Sequence, residues 1–380
     1  MRVIIFSGKG GCGTSTIAAG TACLLASAGQ RTLAFGLERG LGAAFGADLG
    51  IDPLPVAEGL DALEGHGGLA SHDEFRDFVQ SLLDWRGMDA DLAEDLASLP
   101  GINHIGRLLE LERLLDSGDY DVAVLDAASL SQFLDLPSAL DAAARWLDRV
   151  FAPRQANVFE PLLRAFAGDY ATNGEAVLET GRELLGRLAA LRDLLTDPGV
   201  TSVRVVVGAD PTSVDAAREA LSVLGLFSYA VDAIVVGNLL PAAVKDLFFA
   251  VRRKQQVAAL NAMRKLAPAP PVVEADLQAT SPIGIDALAT FARSAYGDAD
   301  PAAFFAASDE HTVAPDADGF VMKVFVPFAR REDLQLEEVD DGIAVHLNGR
   351  RCVLVLPDTD YGRATAWAYE GGVLSVNLSG

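Results

Sequence analysis

The chain alternates between continuous apolar runs and segments with apolar positions three or four residues apart. Val3-Ile4-Ile5-Phe6 is an unbroken apolar run, and helical spacing follows from Thr16 to Ala28. Arg31–Gly36 reads as a second buried strand. Residues 59–118 read as helical, punctuated by Gly87 and Pro100-Gly101. Tyr120–Asp126 reads as a third strand, ending in an acid. Residues 137–196 are helical again. Ser202–Val207 and Asp232–Val236 are further strands, with a helix at 213–225 between them. Strands without internal alternation, separated by helices, predict a mostly parallel α/β sheet covered on both faces. The 137–196 block is too long for one crossover, so it predicts an inserted helical subdomain.

Beyond residue 297 the pattern changes. Residues 298–318 are rich in Asp, Ala and Pro and read as a linker. From 319 to 380, short strand-like runs follow one another: 321–327, 334–339, 343–347, 350–357 and 372–378. Asn348-Gly349 between two of them is a hairpin signal. This spacing predicts a small all-β sandwich. The expected organisation is a domain at 1–297 with helical insertions at about 53–118 and 137–196, a linker at 298–318, and a sandwich at 319–380.

Composition narrows the function. The chain has 380 residues and a net charge of −23, from 30 basic and 53 acidic side chains, so no nucleic-acid partner is expected. Three cysteines, Cys12, Cys23 and Cys352, lie far apart, which argues against a disulfide framework or zinc site and fits a reducing, cytoplasmic setting. The chain opens directly on the strand and glycine-rich segment, so no signal peptide is expected. No apolar run reaches the ~18 residues of a membrane span.

The chemistry concentrates at Gly8-Lys9-Gly10-Gly11-Cys12-Gly13-Thr14-Ser15-Thr16. The phosphate-loop pattern G-x-x-x-x-G-K-[ST] maps onto Gly8, Gly13, Thr14 and Ser15, with Thr14 where the lysine belongs. The loop glycines let backbone N–H groups converge on a phosphate at a helix N-terminus. The missing lysine removes the charge that reaches the β- and γ-phosphates. Ser15 and Asp126 are candidate ligands of Mg²⁺. They also read as a helix cap and a strand-end turn acid, and the glycine run alone also reads as a turn with a solvated Lys9.

The G-K-G-G start resembles the deviant phosphate loop of the ArsA arsenite-pump ATPases and the ATPases that target tail-anchored membrane proteins. The tail is similar to the α-crystallin domain of small heat-shock proteins, on Val326-Pro327, Leu334-Gln335-Leu336, Asn348-Gly349-Arg350-Arg351, Leu354-Val355-Leu356-Pro357 and Gly372–Val376. The combination resembles a branch of the targeting ATPases. It implies ATP and Mg²⁺ as cofactors, and a homodimer, or a heterodimer with a homologue, in which Lys9 crosses to the partner's nucleotide. It also implies a helical groove for hydrophobic helical protein segments, with transient membrane association.

By that resemblance Gly8–Thr16 bind nucleotide, and Lys9, Glu38 and Asp126 carry catalysis. Glu38 stands where the family has an aspartate that positions water, and Asn238 is offset by one from its adenine-contacting asparagine. The stretch Asp126–Leu134 lacks the proline, glycine and histidine of the family's second switch. Binding is expected to survive better than hydrolysis. The alternative is a pseudo-ATPase subunit that donates Lys9 to an intact homologue. The scattered cysteines argue against arsenite transport.

The Pro270-Pro271 loop is expected to close over the base. Apolar residues from Trp146 to Phe166, and Leu178 to Leu195, read either as core or as groove lining.

Overall fold

The computed structural model describes residues 1–65, 102–130, 174–266, 270–307, 311–316, 319–339, 342–355 and 364–379, with Arg76–Phe78, Gln80, Ser81 and Phe133. Eight strands form one sheet: β1 (Arg2–Gly8), β2 (Thr32–Gly36), β3 (Leu54–Ala57), β4 (Leu60–Leu63), β5 (Val122–Ser129), β6 (Thr201–Val207), β7 (Val231–Leu239) and β8 (Val272–Asp276). Their order is β3-β4-β2-β5-β1-β6-β7-β8, parallel except for β3 against β4. The central strands are buried on both faces: Val3, Ile4, Ile5 and Phe6 are all 0% exposed. That is why they read as unbroken apolar runs rather than alternations.

Helices α1 (Thr14–Ser27), α2 (Leu41–Phe45) and α7 (Ile285–Tyr296) cover one face, sharing a core with Ile4, Phe6 and Val124. Helices α3 (Ile102–Asp116), α4 (Gly174–Thr196), α5 (Pro211–Leu226) and α6 (Ala250–Met263) pack on the other, with Val3, Ile5 and Leu125. Gly20 lets α1 approach α7: a Cβ there would lie 2.9 Å from the Leu288 carbonyl oxygen.

The tail has two antiparallel sheets. One is β14-β15-β10-β9, from β9 (Thr312–Asp316), β10 (Gly319–Phe325), β14 (Ala364–Glu370) and β15 (Val373–Ser379). The other is β11-β12-β13, from β11 (Leu334–Val339), β12 (Gly342–Leu347) and β13 (Arg350–Val355). Asn348 (φ 52°) and Gly349 (φ 76°) take the left-handed conformations that a two-residue hairpin needs, as their sequence predicts. The fold is thus a mostly parallel phosphate-loop α/β domain with a C-terminal antiparallel sandwich.

The sandwich is seated on the sheet domain. Val324, Val326, Val345 and Leu374 share one hydrophobic cluster with Leu221, Leu224 and Leu226 of α5. The Ser222 hydroxyl donates to the Pro327 carbonyl, and the Cys352 thiol to the Leu226 carbonyl at 3.5 Å. His311 Nε2–H donates to the Gly225 carbonyl, and its Nδ1 lies 2.9 Å from the Ser228 hydroxyl.

Several expectations change. Residues 54–63 form the edge hairpin β3–β4 rather than helix. Leu60-Asp61-Ala62-Leu63 lacks β-branched residues, and the positive φ of Gly59 (70°) makes the turn. Within 59–118 the described helical residues are Arg76–Phe78, Gln80, Ser81 and α3. The third strand runs to Ser129, three residues past Asp126, because Leu125, Asp126 and Ser129 keep their pairing with β1.

The linker expected at 298–318 is partly pinned. Arg204 Nη2 donates to the carbonyls of Pro301 (2.8 Å) and Ala303 (3.1 Å), and Arg2 Nε donates to Ala302 (3.0 Å). Residues 312–316 then pair with β10 as β9. Within 137–196, α4 is helical, and Leu184, Leu188, Leu191 and Leu195 are core against α3 rather than groove. Trp146, Leu147, Val150, Phe151, Phe159, Leu162, Leu163 and Phe166 lie outside the described residues. Among the described residues, no helix is long and apolar enough to cross a membrane.

Candidate functional site

The glycine-rich loop joins the buried end of β1 to α1. Gly11 (φ 81°) and Gly13 (φ 89°) take left-handed conformations, and nothing lies within 4 Å of where a Cβ would stand at Gly10, Gly11 or Gly13. Gly13 is the N-cap of α1, and no side chain caps its orphan N–H groups. They and the helix dipole point into the loop.

Two tight approaches fix the loop. A Cβ at Gly8 would run into the Val206 carbonyl of β6, and one at Gly237 into the Cys12 carbonyl. No side chain fits at 237, which is where strict alignment places the family's adenine-contacting asparagine. Asn238 next door adopts φ 57°, and its Nδ2 donates to the Gly11 carbonyl at 3.1 Å. Asn238 therefore braces the loop in this structure. Gln256 of α6 clamps the same strand end, donating to the Asn238 carbonyl (3.1 Å) and accepting from Leu240 N (3.0 Å).

A cavity of about 160 Å³ lies beside the loop, lined by Cys12, Thr16, Asn238, Leu277, Ser281 and Pro282 among others. Residues 276–278 and 280–282 form one of its walls. Pro271 leads into β8, its carbonyl accepting from Ile234 N as the sheet pairing begins, and neither Pro270 nor Pro271 lines this cavity.

Asp126 is buried (1% exposed) on β5, flanked by Phe6 of β1 and Gly36 of β2. A Cβ built on Gly40 would collide with Ser15 Oγ and sit 3.5 Å from Asp126 Oδ2. Gly40 thus packs beside both oxygens, and a hydroxyl and a carboxylate are ligand types that a hard divalent cation accepts. Thr14 is buried at 7% exposure and brings no charge to the lysine position. Glu38 is half-buried and Arg39 exposed on the loop after β2.

Lys9 is exposed, and its Nζ lies 3.4 Å from Thr212 Oγ1 at the start of α5. Asp210 caps that helix through the N–H groups of Thr212 and Ser213, and their hydroxyls also bond it, holding its carboxyl below the usual range.

Two residues that the sequence reading passed over support the Gly36–Gly42 loop. Glu64, buried at the end of β4, accepts from Gly40 N (2.6 Å) and Gly42 N (3.0 Å). Arg107 of α3, 3% exposed, donates to the Gly36 carbonyl at 2.6 Å and lies over the Phe35 ring. Burial lowers its pKa to about 10. Reading 59–63 as helix hid the strand end that presents Glu64.

The three thiols occupy three separate places. Cys12 lies on the loop, Cys23 is buried in α1 and Cys352 is buried against α5. Burial raises the pKa of Cys12, and that of Cys23 to about 12.

A glycine-rich loop of this form between β1 and α1 of a mostly parallel sheet places the chain in the phosphate-loop α/β class. Residues 1–297 match the family model described as anion-transporting ATPase (ArsA), and residues 317–378 match that of the HSP20-like domain found in ArsA. The chain belongs to the ArsA ATPase family, in the branch carrying a C-terminal HSP20-like domain. It is 25% identical over 367 residues to a Prosthecochloris vibrioformis protein named as an arsenical pump-driving ATPase, covering 94% of this chain and 90% of that one. A similarly named Aquifex aeolicus protein is 23% identical, with 94% of each chain covered. A Paramecium tetraurelia protein named ATPase ASNA1 homolog 1 is 23% identical over 200 residues, 52% of this chain and 60% of that one.

Proposed function

We propose that this protein is a nucleotide-gated chaperone or targeting factor for hydrophobic helical segments, with a weakened ATPase site. The observation that carries the nucleotide reading is the glycine-rich loop between β1 and α1, whose first helical N–H groups no side chain caps, with Ser15 and Asp126 both beside Gly40. The backbone N–H groups of Gly10–Thr16 would bind the phosphates, and Ser15 and Asp126 would hold Mg²⁺. The metal ion, when bound, neutralises charge on the β- and γ-phosphates. Glu64 and Arg107 fix the loop that carries Glu38, so that its carboxylate can orient water. With Thr14 in place of lysine, binding outlasts turnover, since losing one preorganised charge costs ~10²–10³ in rate.

The client reading leans on the relative named as an ASNA1 homologue and on the apolar positions in the sequence of residues 137–173. Pump-driving, as named for the longer matches, finds less support in this chain: its three thiols are far apart, and burial keeps Cys12 and Cys23 protonated. A soft metalloid needs converging thiolates. The exposed Lys9 supports a dimer in which it reaches the partner's nucleotide.

Nucleotide binding and turnover on the purified chain test this reading. Micromolar binding with turnover well below a family member that has the loop lysine, and a dimer in light scattering, are expected. A hydrophobic helical peptide should crosslink within 137–173. Absence of nucleotide binding refutes the reading. The buried, uncharged Thr14 also favours a second one, a pseudo-ATPase subunit: binding without any turnover, and activation of a lysine-bearing homologue on mixing, would select it.

A further inference from the structure

One stretch of the sequence runs against the charge of the whole. The chain carries 30 basic and 53 acidic side chains. From Leu240 to Val273, however, it carries six basic residues, Lys245, Arg252, Arg253, Lys254, Arg264 and Lys265, against one acid, Asp246. The same stretch holds the three most exposed large apolar side chains among the described residues: Leu247 at 88%, Phe248 at 83% and Val251 at 70%. Single exposed apolar side chains are ordinary, whereas neighbouring ones mark a contact surface.

Local structure holds them outward. Leu247–Phe249 form a short 3₁₀ turn that runs directly into α6. The Asp246 carboxylate accepts from Phe248 N at 2.7 Å and caps the turn. Phe249 is half-buried and meets Phe248 edge-on, with ring centroids 5.0 Å apart. Gln256, Ala259 and Met263 form the buried side of α6, and Gln256 pins the helix to the end of β7. The outer side is left to Phe248, Val251 and Lys254, three residues apart and all exposed. Lys245 and Arg252 are exposed as well and flank the apolar residues in sequence. Among the described residues, Lys245, Arg252 and Lys254 have no ion-pair partner.

We propose that this tip, residues 245–254, docks the protein on the surface of an anionic lipid bilayer. Leu247, Phe248 and Val251 enter the headgroup region, and Lys245, Arg252 and Lys254 sit among the lipid phosphates. An apolar tip flanked by cations fits a partner that is anionic at its surface and apolar beneath, which such a bilayer is. A second copy of this chain fits poorly, since a two-fold contact sets the patch on itself, cation against cation. The net charge of −23 is repelled by the same bilayer. Screening confines attraction to groups within about 8 Å of the surface, so the protein approaches tip first. The docking is peripheral and stands independently of nucleotide and client.

Co-sedimentation of the full-length protein with vesicles of phosphatidylcholine alone, or mixed with phosphatidylglycerol, tests this. Binding to the mixed vesicles, absent with phosphatidylcholine alone and lost at high salt, is expected. Each cation near an anionic surface is worth about five-fold in partitioning. Lys254→Glu should weaken binding by at least that factor. Lys323→Glu, the same charge change at an exposed position of β10, should leave it nearly unchanged. Phe248→Ser should weaken binding about ten-fold or more, with thermal unfolding as in the wild type because Phe248 packs little in the fold. A wild type that binds no anionic vesicle overturns the assignment. So does undiminished binding by Phe248→Ser, or equal losses in Lys254→Glu and Lys323→Glu. Light scattering in which Phe248→Ser turns a dimer into monomers shows a contact between copies and also overturns it.

Discussion

Replacing Gly225 by alanine sets two calculable effects against each other. In a helix interior, glycine to alanine gains about 0.8–1 kcal/mol, and somewhat less so near the end of α5. Gly225 faces the tail, however. A Cβ there would lie 2.5 Å from the Phe325 carbonyl oxygen and 3.2 Å from Pro327 Cδ. Real Cβ atoms are essentially never found closer than 3.0 Å to another heavy atom. Strand β10 or the helix must therefore yield by at least half an ångström, roughly the scale at which overpacking costs 1–3 kcal/mol.

The net expectation is a loss of about 1 kcal/mol or more, concentrated where the tail meets α5. Gly186 of α4 supplies the control: nothing lies within 4 Å of its would-be Cβ, so Gly186→Ala should stabilise by about 0.5–1 kcal/mol. Thermal unfolding should separate the two variants in sign. Hydrogen exchange should show faster exchange in β10 and β12–β13 of Gly225→Ala alone. If Gly225→Ala stabilises as Gly186→Ala does, the sandwich is not seated on α5 as described.

Three further outcomes are expected. Burial holds the His311 pKa below its ordinary 6.5, so as pH falls through that value the unfolded chain takes up a proton that the seated imidazole resists. Tail docking should therefore weaken from pH 7 to 5, read by hydrogen exchange, and His311→Gln should flatten that dependence. Glu64→Ala leaves the Gly40 and Gly42 N–H groups without their acceptor, and should cost about 1–3 kcal/mol and loosen the Gly36–Gly42 loop in hydrogen exchange. Arg204→Ala breaks a pair with Asp232 in which the side chains are 0% and 1% exposed, and should cost about 3–5 kcal/mol in denaturant unfolding.

The parallel sheet was legible because its strands are buried on both faces and therefore apolar without interruption. The loop was legible because few residue types satisfy its backbone, and the Asn348-Gly349 hairpin for the same reason. What escaped depends on tertiary contact. Leu60–Leu63 becomes a strand by pairing with β2, which its own propensity does not favour. Thr312–Asp316 contains a proline and is exposed over most of its length, so only its edge pairing with β10 makes it a strand. Glu64 and Arg107 act on the loop from other elements, so no local motif marks them. Asn238 carries the right residue type near the expected place, yet its side chain is spent on the Gly11 carbonyl.

Two domains readable separately in sequence share one core in the structure, and α5 explains how. Its N-terminal turn reaches Lys9 through Thr212, its middle packs under β6, and its last two turns carry Ser222, Gly225 and Leu226 into the sandwich. Interiors this close-packed transmit strain rather than absorb it. A sandwich joined through a mobile linker would leave the loop indifferent to its presence. One seated through a continuous hydrophobic cluster, with residues 301–305 strapped to Arg2, Arg204 and Asp232, ties the position of the tail to that of the loop. Any ligand that shifts the Thr212 end of α5 through Lys9 then acts on the helix that seats the tail, and by linkage the seated tail acts on that ligand.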